Sequence, residues 1–454
     1  MKYLSSDLTV TKMYDMYVEK CMQTNDCPVK LWCYRDIFNT KFNLSFHPPR
    51  KDTCKRCDLM KLSIEAAKGE GDEAKAAQVQ GEHELHLRKA EAARTALEAE
   101  RQESASHEAF TFDLQKVLSL PKLSTNEVYY CRQLSVYNLG IHSLTTNKVT
   151  MNVWDETVAS RGAEDIGSCL LQYCLALADV GIKTISAYSD SCGGQNRNHK
   201  IALIWMHICE ISNIEEINHK FLVCGHSYLP NDSDFGVIER ATQKSCELYV
   251  PEQWCSIIEK CSRKNPYTVV RMKQEMFVSV SDLVKRCTVR KTSLQGNKVE
   301  WLKIQWIQVR KSSPMKLYFK YSIQEDIAFD CVDFGKKDRG VQVLSSLKPA
   351  NDQHRTLSKE KAQDLKKLLK YVPPIYHEFY TTKTSQAVLS SSHEVLEEQC
   401  SDSETETPST TRSASRSSTV KKNRICEHAA DTGTPVTTQN GGRSTRSGQR
   451  SVRN

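Results

Sequence analysis

Five acidic side chains and one Cys-x-x-Cys pair are the residues of this 454-residue chain best suited to chemistry. Asp113 lies inside the run FTFDL, where a carboxylate costs free energy unless it has a partner. Asp190 closes the short apolar run Thr184 to Tyr188 and precedes Ser191-Cys192-Gly193-Gly194, a tight turn opening a helix. Asp234 and Glu239 follow the run that ends at Cys224, near the next helix start, and Asp232 is a candidate that the sequence does not separate from Asp234. Carboxylates at the ends of neighbouring strands converge on one point. Such oxygen ligands suit Mg²⁺ or Mn²⁺. Two such ions can activate an attacking hydroxyl and stabilise a leaving oxygen. A plainer role is open for several of these acids, though less so for Asp113, which is costly in an apolar strand without a partner. Asp190 and Asp234 can cap helices, and Asp155 and Glu156 either add a fourth contribution or end a strand.

Cys54 and Cys57 have the spacing that lets two thiolates grip one Zn²⁺. His83 and His86 stand three apart, so both imidazoles share one helix face and complete four ligands, with His47 as the substitute. A separate hydrolase reading pairs Cys192 with His226, or takes Ser191 as nucleophile. It needs an oriented His and an oxyanion pocket.

The elements that must position these groups follow from periodicity. Phe110 to Leu118, Gln133 to His142 and Lys148 to Trp154 alternate as strands. Ala163 to Val180 is an amphipathic helix, Thr184 to Tyr188 a buried strand, Arg197 to Ile211 a helix and Lys220 to Cys224 a strand, with a helix beginning near Asp234. Three strands followed by alternating helices and strands make an α/β domain with a mixed sheet.

Around this centre the chain divides into a helical region at 1–61 carrying the Cys pair, a charged helical spacer at 62–107 whose firm part is 82–104, the central domain at 108–250, an α+β region at 251–385 and a tail at 386–454. In the spacer, Gly69, Gly71 and Gly81 are expected to break the first half. In the α+β region Trp301 to Val309 alternates as a strand and Lys359 to Leu369 has a helical Leu pattern. The tail is rich in Ser, Thr and Arg, poor in large apolar residues, and therefore expected to be disordered. Its Lys421-Lys422-Asn423-Arg424 patch suggests nuclear import, and Ser401 and Ser403 stand among acids where phosphorylation would fit. No apolar stretch is long enough for a membrane span. The eighteen scattered cysteines, with no secretory signal, point to thiols and metal ligands inside the cell rather than disulfides. A formal net charge of +8 permits a polyanionic partner such as DNA. Oligomeric state has no signature here.

Longer phrases carry a resemblance. Trp154-Asp155-Glu156-Thr157 with Ala159-Ser160-Arg161-Gly162, YSDSCGGQN from Tyr188 to Asn196, GHSYLPNDSDFG from Gly225 to Gly236, FNLSFHPPRKDTCKRC from Phe42 to Cys57, and KYVPPIYHEFY from Lys370 to Tyr380 resemble a eukaryotic family of uncharacterised proteins related to transposable elements. The strand order and carboxylate placement resemble the ribonuclease-H-like fold of DDE transposases. The likeness covers roughly residues 8 to 380, and the short lead before Leu8 suggests a further upstream segment. It implies a metal-dependent phosphodiester cleavage and strand transfer on DNA in the nucleus, with Asp113, Asp190 and Asp234 or Glu239 as ligands. The alternative is a DNA- or chromatin-binding scaffold that has kept the fold and lost turnover.

Overall fold

A computed structural model describes residues 2–46, 53–102, 104–243, 247–287, 291–335, 347–350 and 354–385. His47 and the whole tail from 386, with Ser401, Ser403 and the basic patch, lie outside the described residues.

The amino-terminal part is helical. Strand β1 (Lys2–Leu4) pairs in parallel with β2 (Leu44–Phe46), on either side of α1 (Val10–Thr24) and α2 (Leu31–Lys41). Thr9 caps α1 by accepting from the Lys12 amide. Helices α3 (Lys55–Gly69) and α4 (Glu73–Ala99) form a hairpin. Gly71 turns it at φ +75°, a conformation that favours glycine. Gly81 does not break the helix as expected. It sits exposed inside α4, and its helix-forming Ala, Glu and Gln neighbours outweigh its local cost of about 1 kcal/mol.

The centre is one ten-stranded mixed sheet. Its strands are β3 (His107–Leu114), β4 (Leu118–Leu120), β5 (Leu134–Ser143), β6 (Val149–Asp155), β7 (Thr184–Ser189), β8 (Glu216–Phe221), β9 (Thr268–Arg271), β11 (Trp306–Arg310), β12 (Lys316–Lys320) and β13 (Asp330–Asp333), with β10 (Val278–Ser279) and β14 (Lys348–Pro349) paired apart from it. The order is β13-β12-β11-β8-β7-β3-β5-β6-β9, with β4 alongside β5. The meander β3-β5-β6 is antiparallel, while β7 joins β3 and β8 joins β7 in parallel. The carboxyl ends of β3, β7 and β8 therefore open on one edge of the sheet.

Helices cover both faces: α5 (Ala163–Asp179) and α6 (His199–Ile211) on one, α4 with α7 (Pro230–Thr242), α8 (Pro251–Lys260), α10 (Lys359–Leu368) and α11 (His377–Thr384) on the other; α9 (Ser281–Arg286) packs near α6. Alternation along β3 sorts the two cores. Phe110 and Phe112 enter the α5–α6 core, and Ala109 enters the core under α4.

Three expected strands are displaced. β3 runs His107–Leu114 rather than Phe110 to Leu118, and Leu118 opens the separate β4. β8 starts at Glu216 rather than Lys220, because its polar residues are consumed by partners: Asn218 Oδ1 accepts from Trp306 Nε1 (2.9 Å), and Lys220 Nζ donates to Glu100 (2.8 Å). β11 starts at Trp306, while Trp301–Lys303 forms a 3₁₀ turn. Among the described residues no helix is long and apolar enough to cross a membrane, and every described cysteine is free of disulfides.

Candidate functional site

Two groups of side chains stand on the α4–α7 face. The first gathers around Asp113. This residue and Thr111 alternate onto the face that α7 crosses. Gly140 is the register partner of Asp113 on β5, and a Cβ there would sit 2.9 Å from the Phe235 ring. The missing side chain lets α7 press onto the strand. Asn231 fastens it: Thr111 Oγ1 donates to Asn231 Oδ1 (2.6 Å), and Asn231 Nδ2 donates to the Gly140 carbonyl (2.9 Å).

That contact brings the next residue, Asp232, into the field of Asp113. Burial pushes the Asp113 carboxyl up to about 7, and the negative charges of Asp190 and Asp232 push in the same direction, against one backbone N–H bond from Leu114. Asp190 leaves the end of β7 and is held by its own turn. Its Oδ1 accepts from Asn196 Nδ2 at 2.5 Å and from the Cys192 amide at 3.2 Å. The helix cap that is the plainer alternative for Asp190 belongs to Asn198, which accepts from the Lys200 and Ile201 amides. The buried Asn196 keeps its Oδ1 without a partner among the described residues.

Asp234 is elsewhere. Two residues further along a helix is a turn of roughly 200°, so Asp234 faces away from Asp232. Its Oδ2 lies 2.7 Å from His142 Nδ1, and its Oδ1 accepts from Tyr267 Oη at 3.1 Å. It is not the helix cap either, since α7 begins at Pro230 behind Leu229. Glu239 is exposed, and its place on α7 is about 10 Å along the axis beyond Asp232. Asp155 and Glu156 end β6 and are bound by the carboxyl-terminal helices: Lys383 Nζ reaches both Asp155 oxygens at 3.1 Å, and Lys361 Nζ reaches Glu156 at 2.7 and 2.8 Å.

The second group is a thiolate–imidazole cluster. Cys54 stands at the amino end of α3 and Cys57 in its first turn; His86 comes from α4, and His226 from the loop after β8. Their ligand atoms all lie within 4.8 Å of one another, and among the described residues no other group of three or more His, Cys, Asp or Glu is so close. Cys54 Sγ is 3.4 Å from His86 Nε2, and Cys57 Sγ is 3.2 Å from His226 Nε2. A sulfur and a nitrogen sharing a tetrahedral ion would be about 3.5 Å apart. The donor set fits a metal. Burial and the neighbouring Cys54 push the Cys57 thiol up to about 11, and burial followed by His226 lowers His86 to about 4. The imidazole is thus neutral and ready to ligate, whereas the thiols must shed protons to an ion.

His83, expected as a ligand, is not in the cluster. One turn earlier on α4, its Nε2 is buried with no hydrogen-bond partner among the described residues. The fourth position goes to His226, which spacing within the amino-terminal region could not reveal. Its neighbour Gly225 was the available signal. Gly225 sits at φ +73°, and a Cβ there would lie 2.8 Å from Cys54 Sγ. His226 is therefore committed to the Cys57 side, and the Ser191 hydroxyl donates to the Leu222 carbonyl, so neither group is arranged as a hydrolase pair.

No protein-family model matches the chain, and a search of curated proteins gives no match.

Proposed function

We propose that this chain is a DDE-transposase-like protein of ribonuclease-H-like fold, acting on DNA phosphodiesters with Asp113, Asp190 and Asp232 as its acidic ligands. The observation that carries this reading is the placement of the buried Asp113 with Asp190 and Asp232 at one edge of the sheet, near enough for the charges of both to act on its carboxyl. The strand arrangement supports it too: an antiparallel three-strand meander joined to two parallel strands, with acids on the first strand, after the fourth, and on the helix after the fifth. Asp232 replaces Asp234 as third ligand because Asp234 is consumed by His142 and Tyr267.

Mg²⁺ or Mn²⁺ at these carboxylates would supply positive charge to a phosphodiester and lower the cost of a developing oxyanion. The chain's own residues do the positioning. Asn196 and the Cys192 amide orient Asp190, and Asn231 fixes the first turn of α7 against Thr111 and Gly140. Zn²⁺ is the ion best suited to Cys54, Cys57, His86 and His226, a two-sulfur, two-nitrogen set with no open position and hence a structural site. DNA is the proposed partner and the nucleus the proposed location, reached with help from Lys421 to Arg424.

The test is Mg²⁺- or Mn²⁺-dependent nicking of plasmid DNA by the wild type, Asp113→Asn, Asp190→Asn and Asp232→Asn. Each substitution should reduce nicking at least about 100-fold while DNA binding, which rests on salt-dependent phosphate contacts, survives. Equal nicking by all four proteins would make the acids structural. A wild type that binds DNA with no nicking on any substrate would favour the scaffold alternative. That alternative draws on the acids lying less closely gathered than the thiolate–imidazole cluster.

A further inference from the structure

The metal cluster and the acids are joined by a short stretch of chain. His226 is six residues from Asp232, and several of the residues between them are held by contacts. The His226 amide donates to the Val223 carbonyl at 2.9 Å. Tyr228, at φ +36°, lies beneath the Arg94 guanidinium of α4, 5.6 Å from its ring centre. Leu229 is buried in the same small core as Ala93 and Leu97 of α4. Asn231 is tied to Thr111 and Gly140, and the Asp232 amide donates to the Leu229 carbonyl at 3.0 Å.

From this continuity we infer that the Cys54–Cys57–His86–His226 metal knot is a positioning device for Asp232, clamping the α3–α4 hairpin to the β8–α7 loop so that the first turn of α7 is held against Asp113. The knot draws ligands from three places in the chain, and the loop's approach to Cys54 leaves no room for a side chain at Gly225. The four side chains hold one another only weakly without an ion: two buried thiols, one buried imidazole and one half-buried imidazole meet through S···N contacts of 3.4 and 3.2 Å, so an ion is what would tie the loop firmly to the helix end. With the ion bound, His86 and His226 are fixed together, and α4 in turn carries the Leu229 contact. With the ion absent, α4 and the loop separate at their closest point, and the strain reaches α7 before it reaches the strands, which keep their ladders. The catalytic half of this inference rests on the proposed role of Asp232; the mechanical half does not.

The experiment is hydrogen–deuterium exchange on the full chain, zinc-loaded, stripped with chelator, and re-loaded, together with His226→Ala. A peptide covering residues 229–240 should exchange about tenfold faster in the stripped protein and in His226→Ala. Re-loading should restore protection in the wild type and leave His226→Ala unchanged. Peptides from β3 and β7 should keep their protection throughout. Unaltered exchange at 229–240 would overturn the inference. So would equal loosening of β3 and β7, since the ion would then be a general stabiliser. In parallel, Mn²⁺ affinity is read by electron paramagnetic resonance. It should fall about tenfold on loss of zinc, as happens when groups orienting ligands are removed. Asp232→Asn should produce the same fall with zinc content and exchange intact. If 229–240 loosens but the wild type binds Mn²⁺ no better than Asp113→Asn, the clamp stands and the phosphodiester reading falls.

Discussion

His226 Nε2 lies 3.2 Å from Cys57 Sγ across 169 residues of sequence, and this contact closes a cluster that the amino-terminal region alone leaves one ligand short. Metal content therefore separates the two candidate fourth ligands. Mass spectrometry should find one zinc per wild-type chain. Cys57→Ser and His226→Ala should lose most of it, and His83→Ala should retain it. Zinc lost from His83→Ala and kept in His226→Ala would return the site to the helix-only ligand set.

Gly225 is the residue whose replacement should damage the cluster without touching a ligand. At φ +73° any other residue is strained, by roughly 1–2 kcal/mol. An added Cβ would also meet Cys54 Sγ at 2.8 Å and the Cys54 Cα at 2.9 Å, and a backbone atom cannot swing aside. Gly225→Ala should bind Zn²⁺ at least tenfold more weakly in competition with a chromophoric chelator. Wild-type affinity in this variant would mean that the loop has room to yield.

Asp113 links stability to pH with a definite sign. Its folded carboxyl is raised to about 7 from an ordinary value near 4, so the folded state holds a proton that the unfolded state releases. Stability from this group is fully present below about pH 4 and is lost as pH rises toward 7. Asp113→Asn removes the penalty. The variant should be more stable than the wild type at pH 8, by about 1–3 kcal/mol, with the gain vanishing near pH 4. Thermal melts at several pH values without divalent ions measure this. A variant less stable at pH 8 would show that the carboxylate is a structural acceptor.

The sequence made the sheet legible wherever apolar alternation was strong. β5, β6, α5, β7, α6 and α10 fall within a residue or two of their expected ends. It misplaced β8, whose Asn218, His219 and Lys220 read as polar but are buried against Trp306, Ser189 and Glu100. Side-chain pairing of that kind comes from tertiary contacts that periodicity does not encode. The same limit governs the sites. Cys54, Cys57 and His86 share a local pattern, whereas His226 is supplied by a loop brought in by the sheet. Asp232 and Asp234 differ only in helical phase, and that phase is set by Pro230 and by the anchoring of Asn231.

That phase also yields the last prediction. Asp234 is buried, with one oxygen 2.7 Å from His142 Nδ1 and the other accepting from Tyr267 at 3.1 Å, while His142 Nε2 meets Asn147 Oδ1 at 3.0 Å. The network ties α7 to β5, to the β5–β6 turn and to the residue before β9. Removing one member leaves buried donors and acceptors unpaired, a loss of about 1–3 kcal/mol for each group so stranded. Asp234→Ala should therefore lower the melting temperature by many degrees, whereas the exposed Asp232→Asn should leave it nearly unchanged. Nicking should show the opposite order when measured well below both melting points: Asp234→Ala retains activity within about tenfold, and Asp232→Asn loses it. If Asp234→Ala melts like the wild type and abolishes nicking, Asp234 is the ligand after all, and the helical phase that separates the two acids carries no functional meaning.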